Sequence, residues 1–447
     1  MKLSQVAQML NTTLQGEDDD FTTVNTDTRT LQPGELFIAL RGPHFDANTF
    51  VAQAAAKNAV GAIVTRSAVR QASIPIIPVL DTQVALTQLA QHWRDSMPCL
   101  VIAVTGSCGK TTTRALLASV FSQAGQVLAS ESSFNNAIGV PLTLLRLTTD
   151  HDYAVVEMGA NHAGEIAHLT QITKPDIAII TNAGPAHLEG FGDLNGVANA
   201  KGEIFQGLSS AGTAIINNDD PYATVWKKLN TLRRIVTFGI TQAADVMAKN
   251  VRLDDSGRPI FQLCFPQEKR DIHLPLMGEH NIQNALAAAA AGYSQGLALS
   301  SIKQGLETVQ AVKRRLVEFT GFAGATIIDD SYNANPASVS AAIAVLASRR
   351  GDSILVLGDM LELGQAADRW HYHIGETAQH FGIGQLYCYG KHSRQAAAAF
   401  GTQAYHFDDQ ASLIRALRKS LRPTTIVLVK GSLGMKMNNI VASLLEG

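Results

Sequence analysis

The sequence predicts an α/β protein of three domains with a mostly parallel sheet in the central domain. Apolar runs typical of buried strands alternate with helical runs along the chain. Such alternation favours parallel strands covered by helices on both faces. The length of 447 residues is the second observation, because one domain usually holds about 100–200 residues.

The first domain occupies residues 1–81 and reads as a small α/β unit. Strands are predicted over 36–40 and 60–64, with a helix over 47–58 between them. A run with two prolines over 74–79 predicts an edge strand, because proline lacks the amide hydrogen that a central strand donates.

The second domain, residues 82–312, opens with a helix predicted over 81–96. Alternating apolar positions over 244–277 predict β-hairpins, and an alanine-rich helix follows over 280–296. The predicted strands before the hairpins span residues 100–104, 153–158, 176–181 and 213–217.

The third domain, residues 313–447, repeats the alternation of strand and helix. Its predicted strands span residues 325–328, 353–357, 385–389 and 425–429. No Gly-x-Gly-x-x-Gly segment follows a predicted strand, so the sequence gives no support for a dinucleotide site.

Composition excludes several classes of function. The formal net charge is −2, which implies no general attraction to nucleic acid or to a membrane surface. The first residues lack the apolar core of a signal peptide, and no apolar run reaches the ~20 residues that span a bilayer. The four cysteines lack metal-ligand or redox-pair spacing. We therefore expect reduced thiols and a cytoplasmic location.

The most informative stretch reads Thr-Gly-Ser-Cys-Gly-Lys-Thr-Thr over 105–112. It follows a predicted strand and opens a predicted helix, which is the context of a phosphate-binding loop. Two glycines let backbone amides turn toward an anion, and the helix N-terminus adds partial positive charge. The predicted phosphate-binding residues are Gly106, Ser107, Cys108, Gly109, Lys110, Thr111 and Thr112.

Within this phosphate loop, Lys110 is placed to reach the outer phosphates and the Thr111 hydroxyl to hold Mg²⁺. The full motif has a glycine where Val104 stands. The alternative interpretation is a strand-to-helix turn that happens to contain Gly-Lys-Thr.

Three further residues are candidates for metal binding or catalysis. Glu157 ends a predicted strand and either completes a Mg²⁺ site with Thr111 or caps the strand in solvent. His187 follows another strand in a loop broken by glycine and proline, a placement that favours function over a core histidine. Lys201 lies on a predicted helix, where a lysine usually faces solvent.

Two polar clusters complete the candidates. Asp330 belongs to a pair of carboxylates at a strand end, which indicates an active-site loop; the alternative is a helix N-cap, which suits Asn335 better. The other cluster, in the first domain, either binds a ligand or caps a turn. It consists of Thr26, Asp27, Thr28 and Arg29.

These segments together resemble the Mur ligases, the ATP-dependent enzymes that build the peptide of the bacterial cell-wall precursor. The matches follow the family's order along nearly the whole chain, and the ordered set is far more specific than any one of them. One departure is Arg314, which stands where the family usually has glycine. The matching segments are 105–112, 157–162, 182–190, 200–203, 278–284, Arg315, 329–336, 357–364 and 429–432.

Within the family, residues 26–29, 33–40, 45–47, 133–141 and 331–335 resemble the member that adds D-alanyl-D-alanine to UDP-N-acetylmuramoyl-tripeptide. The resemblance implies a UDP-sugar-binding domain over 1–81, an ATP-binding domain over 82–312 and a Rossmann-like ligase domain over 313–447. It also implies that a set of polar side chains binds this substrate. They are Thr26, Asp27, Thr28, Arg29, Asn135 and Asn136.

The resemblance further implies ATP and Mg²⁺ as cofactors and an acyl-phosphate intermediate. The implied catalytic residues are Lys110, Glu157, His187, Lys201, Arg315 and Asp330. The implied metal-binding residues are Thr111, Glu157, His187 and Lys201, the last carbamylated by CO₂. Asn281, Arg315 and Asp330 would meet ATP. We expect a monomer whose partners are the UDP-tripeptide and D-alanyl-D-alanine.

Two alternatives stay open. Another Mur-type ligase, tripeptide-forming or folylpolyglutamate-like, would share the phosphate loop. The Asp-Asn-Pro-Arg signature of the diaminopimelate-adding member is absent, and residues 1–81 argue against the folylpolyglutamate type, whose resemblance begins near the phosphate loop. A phosphate-loop NTPase acting as a switch or motor would turn over ATP without either acceptor.

Overall fold

A computed structural model describes residues 1–42, 45–67, 73–131 and 133–445 of the chain. The described residues form three separate sheets, which follow one another along the sequence. The α/β class and the three-domain architecture are therefore confirmed. No helix in these ranges is long and apolar enough to cross a membrane.

The first sheet has four parallel strands in the order β1-β2-β3-β4. The prediction of an edge strand is confirmed, because β4 is outermost. The predicted helix over 47–58 begins as a 3₁₀ turn, which the Asp46 carboxylate caps by accepting the Asn48 amide hydrogen. The elements are α1 (Leu3–Met9), β1 (Val24–Asn25), β2 (Leu36–Ile38), α2 (Val51–Ala56), β3 (Gly61–Thr65) and β4 (Ile76–Val79).

The second domain is built around a sheet of nine described strands. In the first half of its sequence the elements are α3 (Thr82–Ser96), β5 (Leu100–Thr105), α4 (Lys110–Phe121), β6 (Val127–Ala129), α5 (Gly139–Leu144), β7 (Tyr153–Glu157), α6 (Glu165–Thr173), β8 (Ile177–Ile180), α7 (Leu188–Phe191) and α8 (Leu194–Gly202). In the second half they are β9 (Thr213–Asn217), α9 (Ala223–Lys228), β10 (Arg234–Gly239), β11 (Val246–Leu253), β12 (Pro259–Cys264), β13 (Lys269–His273), α10 (His280–Ser294) and α11 (Leu299–Thr308).

The strand order of this sheet is β13-β12-β11-β10-β9-β8-β5-β7-β6. Strands β5 to β11 are all parallel. Strands β12 and β13 extend the sheet by antiparallel pairing, as the hairpin pattern predicts. Because β5 lies between β7 and β8, the loops that follow these three strands meet at one edge. Ligands bind at this edge in open α/β sheets.

Helix α4 is held against the sheet by the alanine-rich helix α10 within one hydrophobic core. Leu116, Leu117 and Val120 of α4 are fully buried there. The small side chains of α10 let the two helices approach closely, and this packing fixes the direction in which the N-terminus of α4 points.

The third sheet has the order β14-β15-β19-β16-β17-β18, with only β14 antiparallel among its described strands. Hydrophobic cores cover both faces, as a doubly wound, Rossmann-like sheet requires. The elements are β14 (Val317–Thr320), β15 (Thr326–Asp330), α12 (Pro336–Ala347), β16 (Asp352–Gly358), α13 (Ala367–His380), β17 (Gln385–Tyr389), α14 (Ser393–Phe400), β18 (Ala404–Phe407), α15 (Gln410–Ser420), β19 (Thr425–Lys430) and α16 (Asn438–Leu445).

Candidate active site

A cleft of about 780 Å³ lies between the second and third sheets and is lined by residues of both. It opens where β5, β7 and β8 end on one side and where β15 and β19 end on the other. Most predicted site residues meet here. They are Ser107, Cys108, Gly109, Lys110, Thr111, Thr112, Asn135, Asn136, Glu157, His187, Asn281, Arg315 and Asp330.

The phosphate loop has the glycine-dependent shape that its sequence predicts. Gly106 has a φ of +150° and Gly109 a φ of +83°. A Cβ at Gly109 would lie 2.2 Å from Asn284 Oδ1, and one at Gly106 would lie 1.9 Å from Thr181 Oγ1. Any side chain at either position would push the loop away from its neighbours.

The backbone amides of residues 109–112 face the cleft end of α4 without a hydrogen-bond partner among the described residues. Unpaired amides at a helix N-terminus are suited to an anion. Lys110 Nζ donates to the Gly106 carbonyl at 2.7 Å. Burial lowers the pKa of Lys110, and Arg315 lowers it further while Glu157 opposes the shift. The loop therefore presents the donors that a polyphosphate needs.

The loop that follows β8 braces the phosphate loop. Asn182 accepts the amide hydrogen of Cys108 at 3.0 Å, and the Thr181 hydroxyl donates to the Cys108 carbonyl at 2.6 Å. Ser107 and Gly184 exchange two further hydrogen bonds of 3.0 and 2.9 Å. Sequence reasoning missed these bracing roles, although the polar run after a buried strand was a visible signal.

Glu157 is 3% exposed, and its carboxylate forms a buried ion pair with Arg114. Asn135 donates to its Oε1 at 2.9 Å. Its Oε2 lies 3.6 Å from Arg114 Nε, and neither atom has a hydrogen-bond partner among the residues that the structure describes. Burial lowers the pKa of Arg114, which Glu157 opposes. A buried carboxylate oxygen in a cleft that Thr111 also lines fits a hard cation such as Mg²⁺.

Mg²⁺ keeps several waters and needs few protein ligands. Among the described residues, no group of three or more His, Cys, Asp or Glu side chains is placed to hold a metal ion. The oxygen ligands that Glu157 and Thr111 offer suit Mg²⁺ better than a transition metal.

His187 connects the two sides of the cleft. It has a φ of +52° at the start of α7, and its Nδ1 lies 2.6 Å from Glu362 Oε2 of the third domain. Burial lowers the pKa of His187, Glu362 opposes that shift, and Lys110 and Lys201 add to it. Sequence reasoning missed Glu362, because nothing local pairs residues so far apart in the chain.

Lys201 is not on a solvated helix face, so that expectation is wrong. Its side chain is 1% exposed, and its Nζ lies 5.1 Å from the ring centroid of Phe191. It has no hydrogen bond or ion pair in the described part of the chain, and Glu203 instead accepts the amide hydrogens of Gly164 and Ala167. Burial lowers the pKa of Lys201 to about 7. Lys201 does not line the cleft.

The third domain contributes cations to the cleft. The guanidinium of Arg315 lies 4.4 Å from the ring centroid of Tyr332. Asp330 accepts a hydrogen bond of 2.6 Å from Lys430 Nζ, and both side chains are buried. Asp330 therefore reaches the cleft as one half of an ion pair rather than as a free carboxylate. Lys430 belongs to the segment 429–432 that the resemblance marks, but its pairing with Asp330 was not predicted.

Some predicted residues already have structural roles. Asn281 donates to the Met277 carbonyl at 2.7 Å and accepts from Asn284 at 2.8 Å. Asn136 accepts the amide hydrogens of Ile138 and Gly139, which caps the start of α5. Both line the cleft while their side-chain oxygens are engaged in these bonds.

The cluster at 26–29 lies outside the cleft, beside the first sheet. Arg29 Nη2 lies 2.6 Å from Asp27 Oδ2, and the side chain of Arg29 is 85% exposed. The Thr28 hydroxyl donates to Gln53 Oε1 at 2.9 Å. The structure therefore does not bring Thr26, Asp27, Thr28 and Arg29 together with the phosphate loop.

Family models match nearly the whole chain. The Mur ligase middle domain matches residues 104–292, the Mur ligase glutamate ligase domain matches 314–433, and the Mur ligase family catalytic domain matches 20–94. A UDP-N-acetylmuramoyl-tripeptide--D-alanyl-D-alanine ligase of Escherichia coli K12 is 43% identical, with 99% of this chain and 98% of that protein covered. This chain belongs to the Mur ligase family.

More distant members agree. The ligase of the same name from Bacillus subtilis strain 168 is 34% identical, with 99% of this chain and 98% of that protein covered. A crystal structure of MurF from Acinetobacter baumannii is 35% identical with a TM-score of 0.92, with 99% of this chain and 98% of that one covered. This Mur ligase thus resembles these relatives along its whole length.

The departure at position 314 has a structural meaning in this Mur ligase. Arg314 has a φ of +63°, a conformation that glycine adopts without strain and other residues adopt at a cost. The backbone required at this point is the one that a glycine would supply.

Proposed function

We propose that this chain is an ATP-dependent ligase that joins D-alanyl-D-alanine to UDP-N-acetylmuramoyl-tripeptide. The observation that carries the proposal is the cleft, in which a phosphate loop of the central domain faces Arg315, Asp330 and Lys430 of the third. Such an arrangement suits a reaction whose reactants are held by different domains. The Escherichia coli and Bacillus subtilis relatives are both UDP-N-acetylmuramoyl-tripeptide--D-alanyl-D-alanine ligases, and they are 43% and 34% identical over nearly the whole chain.

The reaction proceeds in two steps. The terminal carboxylate of the tripeptide attacks the γ-phosphorus of ATP, and ADP leaves with an acyl phosphate formed. The amine of D-alanyl-D-alanine then attacks the acyl carbonyl, and the tetrahedral intermediate collapses to an amide and inorganic phosphate. Lys110 and the loop amides stabilise negative charge on the transferring phosphoryl group, which is the main source of catalysis in such reactions.

Thr111 and Glu157 are the residues that would hold Mg²⁺, with His187 and a carbamylated Lys201 as candidates for a second position. Bound Mg²⁺ would supply charge neutralisation at the phosphates. Support for the Lys201 carbamate comes from its burial and from its pKa of about 7. Carbamylation requires the neutral amine, and a lysine with an ordinary pKa is almost wholly protonated near neutral pH.

We assign the UDP-sugar to residues 1–81, ATP to 82–312 and the ligase role to 313–447. Arg315, Asp330 and Asn281 would contact ATP, while Asn135 and Asn136 would contact the tripeptide end of the substrate. Closure of the third domain over the cleft would exclude water that could hydrolyse the acyl phosphate. We also predict that the enzyme is cytoplasmic and that it is a monomer. Sedimentation of the purified chain tests the monomeric state.

A phosphate-release assay tests the function. The chain is supplied with ATP, Mg²⁺ and D-alanyl-D-alanine, and the UDP-muramoyl-peptide is varied in length and in its third residue. We expect phosphate only when a UDP-tripeptide and the dipeptide are both present. Release with neither acceptor would favour a nucleotide switch, and release with a UDP-dipeptide and a single amino acid would favour a tripeptide-forming ligase.

A further inference from the structure

The linker that enters the third domain bends sharply around Arg315. Its neighbours Arg314 and Leu316 have φ values of +63° and +53°, so both lie in the left-handed region. The Arg315 amide donates to the Val312 carbonyl at 3.1 Å, and the Tyr332 amide donates to the Arg314 carbonyl at 3.3 Å. The bend therefore ties the linker to the loop that follows β15.

The side chain of Arg314 explains how a residue with a Cβ keeps this conformation. Its Nε donates to Ser331 Oγ at 3.0 Å, and one terminal nitrogen donates to the Ser331 carbonyl at 2.5 Å and to Asn438 Oδ1 at 3.4 Å. Ser331 is fully buried. The planar guanidinium thus fixes the strained linker to two separate parts of the third domain.

Both neighbouring guanidinium groups lie over one aromatic ring. Their central carbons are 5.8 Å (Arg314) and 4.4 Å (Arg315) from the ring centroid of Tyr332. The Tyr332 hydroxyl lies 3.0 Å from Ser133 Oγ of the central domain. This arrangement connects the linker and the loop after β15 to the central domain.

We propose that Arg314 is a positioning residue, which anchors the linker so that Arg315 reaches the ATP cleft and Tyr332 meets Ser133. The proposal rests on the proposed function only in that Arg315 contacts ATP. Arg314 itself does not line the cleft, so its effect on ATP passes through Arg315 and Tyr332. A glycine would satisfy the backbone here but would supply none of these side-chain contacts.

Two substitutions separate positioning from relief of strain. Arg314→Gly removes the side chain and the strain together, whereas Arg314→Ala removes the side chain and keeps the strain. If Arg314 positions Arg315, both variants weaken binding of ATP by about tenfold, well within the ~10²-fold that a misplacement of ~1 Å can cost. The Gly variant should nevertheless melt at a higher temperature than the Ala variant, because only glycine relieves the backbone strain. Wild-type ATP affinity and kcat in Arg314→Gly would overturn the proposal.

A double-mutant cycle tests the route of the effect. Dissociation constants for the β,γ-methylene analogue of ATP are measured for the wild type, Arg314→Gly, Arg315→Ala and the double variant. We expect Arg314→Gly to add less than twofold once Arg315 is gone, because residues that act through one another are not additive. Fully additive losses would overturn the proposal.

Two further variants complete the design. Arg314→Lys keeps the positive charge but loses the planar guanidinium, so we expect it to bind the ATP analogue as weakly as Arg314→Gly does. Wild-type affinity in Arg314→Lys would show that charge alone matters and would overturn the proposal. Lys313→Ala removes an adjacent, exposed cation and should bind the analogue as the wild type does. A matching loss in Lys313→Ala would equally overturn it.

The binding measurements use neither UDP-tripeptide nor dipeptide. A wild-type chain that binds the analogue but does not ligate D-alanyl-D-alanine would therefore refute the proposed acceptors while the cycle stays decisive for Arg314. A wild-type chain that does not bind the analogue would refute both.

Discussion

Lys110 is the residue on which the charge of the phosphate loop depends. We expect Lys110→Ala to lower kcat by about 10²–10³-fold, the usual effect of removing one donor to developing charge. The fold should survive, because among the described residues Nζ donates to the Gly106 carbonyl alone and burial of the ammonium is unfavourable. Steady-state ligation and a thermal melt check both. A folded variant with near-normal ligation would remove the phosphate-loop assignment.

Lys201 tests the carbamate. We expect Lys201→Ala to lose ligation and to regain part of it with added formate or acetate, since a small carboxylate can replace the missing anionic oxygens. Lys228→Ala, at an exposed lysine on α9, is the matched control. It should ligate as the wild type does, with or without added formate or acetate. A fully active Lys201→Ala enzyme would show that no carbamate is needed.

The buried amine of Lys201 also predicts a pH dependence of stability. Its pKa is about 7 in the folded chain and about 10.4 when exposed. Between these values the unfolded chain binds more protons, so this group makes the free energy of unfolding rise with pH over that window. We expect Lys201→Met to remove this rise in urea titrations without bicarbonate. An unchanged pH slope would show that the lysine is not buried as an amine.

At the scale of elements, α7 and the loop after β16 meet through His187 and Glu362. Glu362→Gln removes the carboxylate that opposes the effect of burial, so the pKa of His187 should fall further below its usual value. NMR titration of the histidine ring measures this directly. Glu376→Gln, at an exposed carboxylate 3.8 Å from His373, should leave the His187 signal unchanged. An unchanged His187 pKa in Glu362→Gln would show that the ion pair does not form in solution.

Elements buried on both faces were the predictable ones. Strands β9 and β17 agree with the predicted bounds 213–217 and 385–389, and β5 agrees to within one residue, because short continuous apolar runs favour buried strands. Strands β14 and β18 carry exposed and half-exposed residues and gave no such signal. The predicted helix over 47–58 begins with a 3₁₀ segment, which periodicity alone does not distinguish.

The site was predictable where it is local. The phosphate loop, Glu157 and Asp330 stand at strand ends that the sequence marks, so their convergence in one cleft follows from parallel topology. Arg114, Glu362 and the pairing of Lys430 with Asp330 were missed, because tertiary structure brings these partners together. The burial of Lys201 contradicts the usual behaviour of a helical lysine, since α8 packs its polar residue inward beside Phe191.

At the scale of the whole molecule, the separation of the first sheet from the cleft predicts separable binding. Arg29→Ala should lower the affinity for the UDP-substrate by about tenfold, which corresponds to the loss of one charge-assisted hydrogen bond. The affinity for an ATP analogue should stay unchanged. Arg315→Ala should do the reverse. Calorimetric titration of both ligands on both variants checks this. Equal effects on both ligands would show that the domain assignment is wrong.

Asp330 needs a different variant in such experiments. Because it is paired with Lys430 in a buried site, Asp330→Ala would leave a buried cation unpaired, at a cost of about 3–5 kcal/mol. Loss of ligation in that variant would report on folding as well as on ATP. Asp330→Asn keeps a hydrogen-bond acceptor for Lys430 and isolates the contribution of the charge.

The packing of α4 against α10 has a consequence for the order in which a ribosome delivers this chain. The helix that carries the phosphate loop emerges early, whereas the alanine-rich helix that covers its apolar face lies near the end of the second domain. Leu116, Leu117 and Val120 therefore stay uncovered during most of that domain's synthesis. A nascent chain stalled before residue 280 would expose the apolar face of α4, and chaperones and proteases recognise exposed apolar surface of this kind.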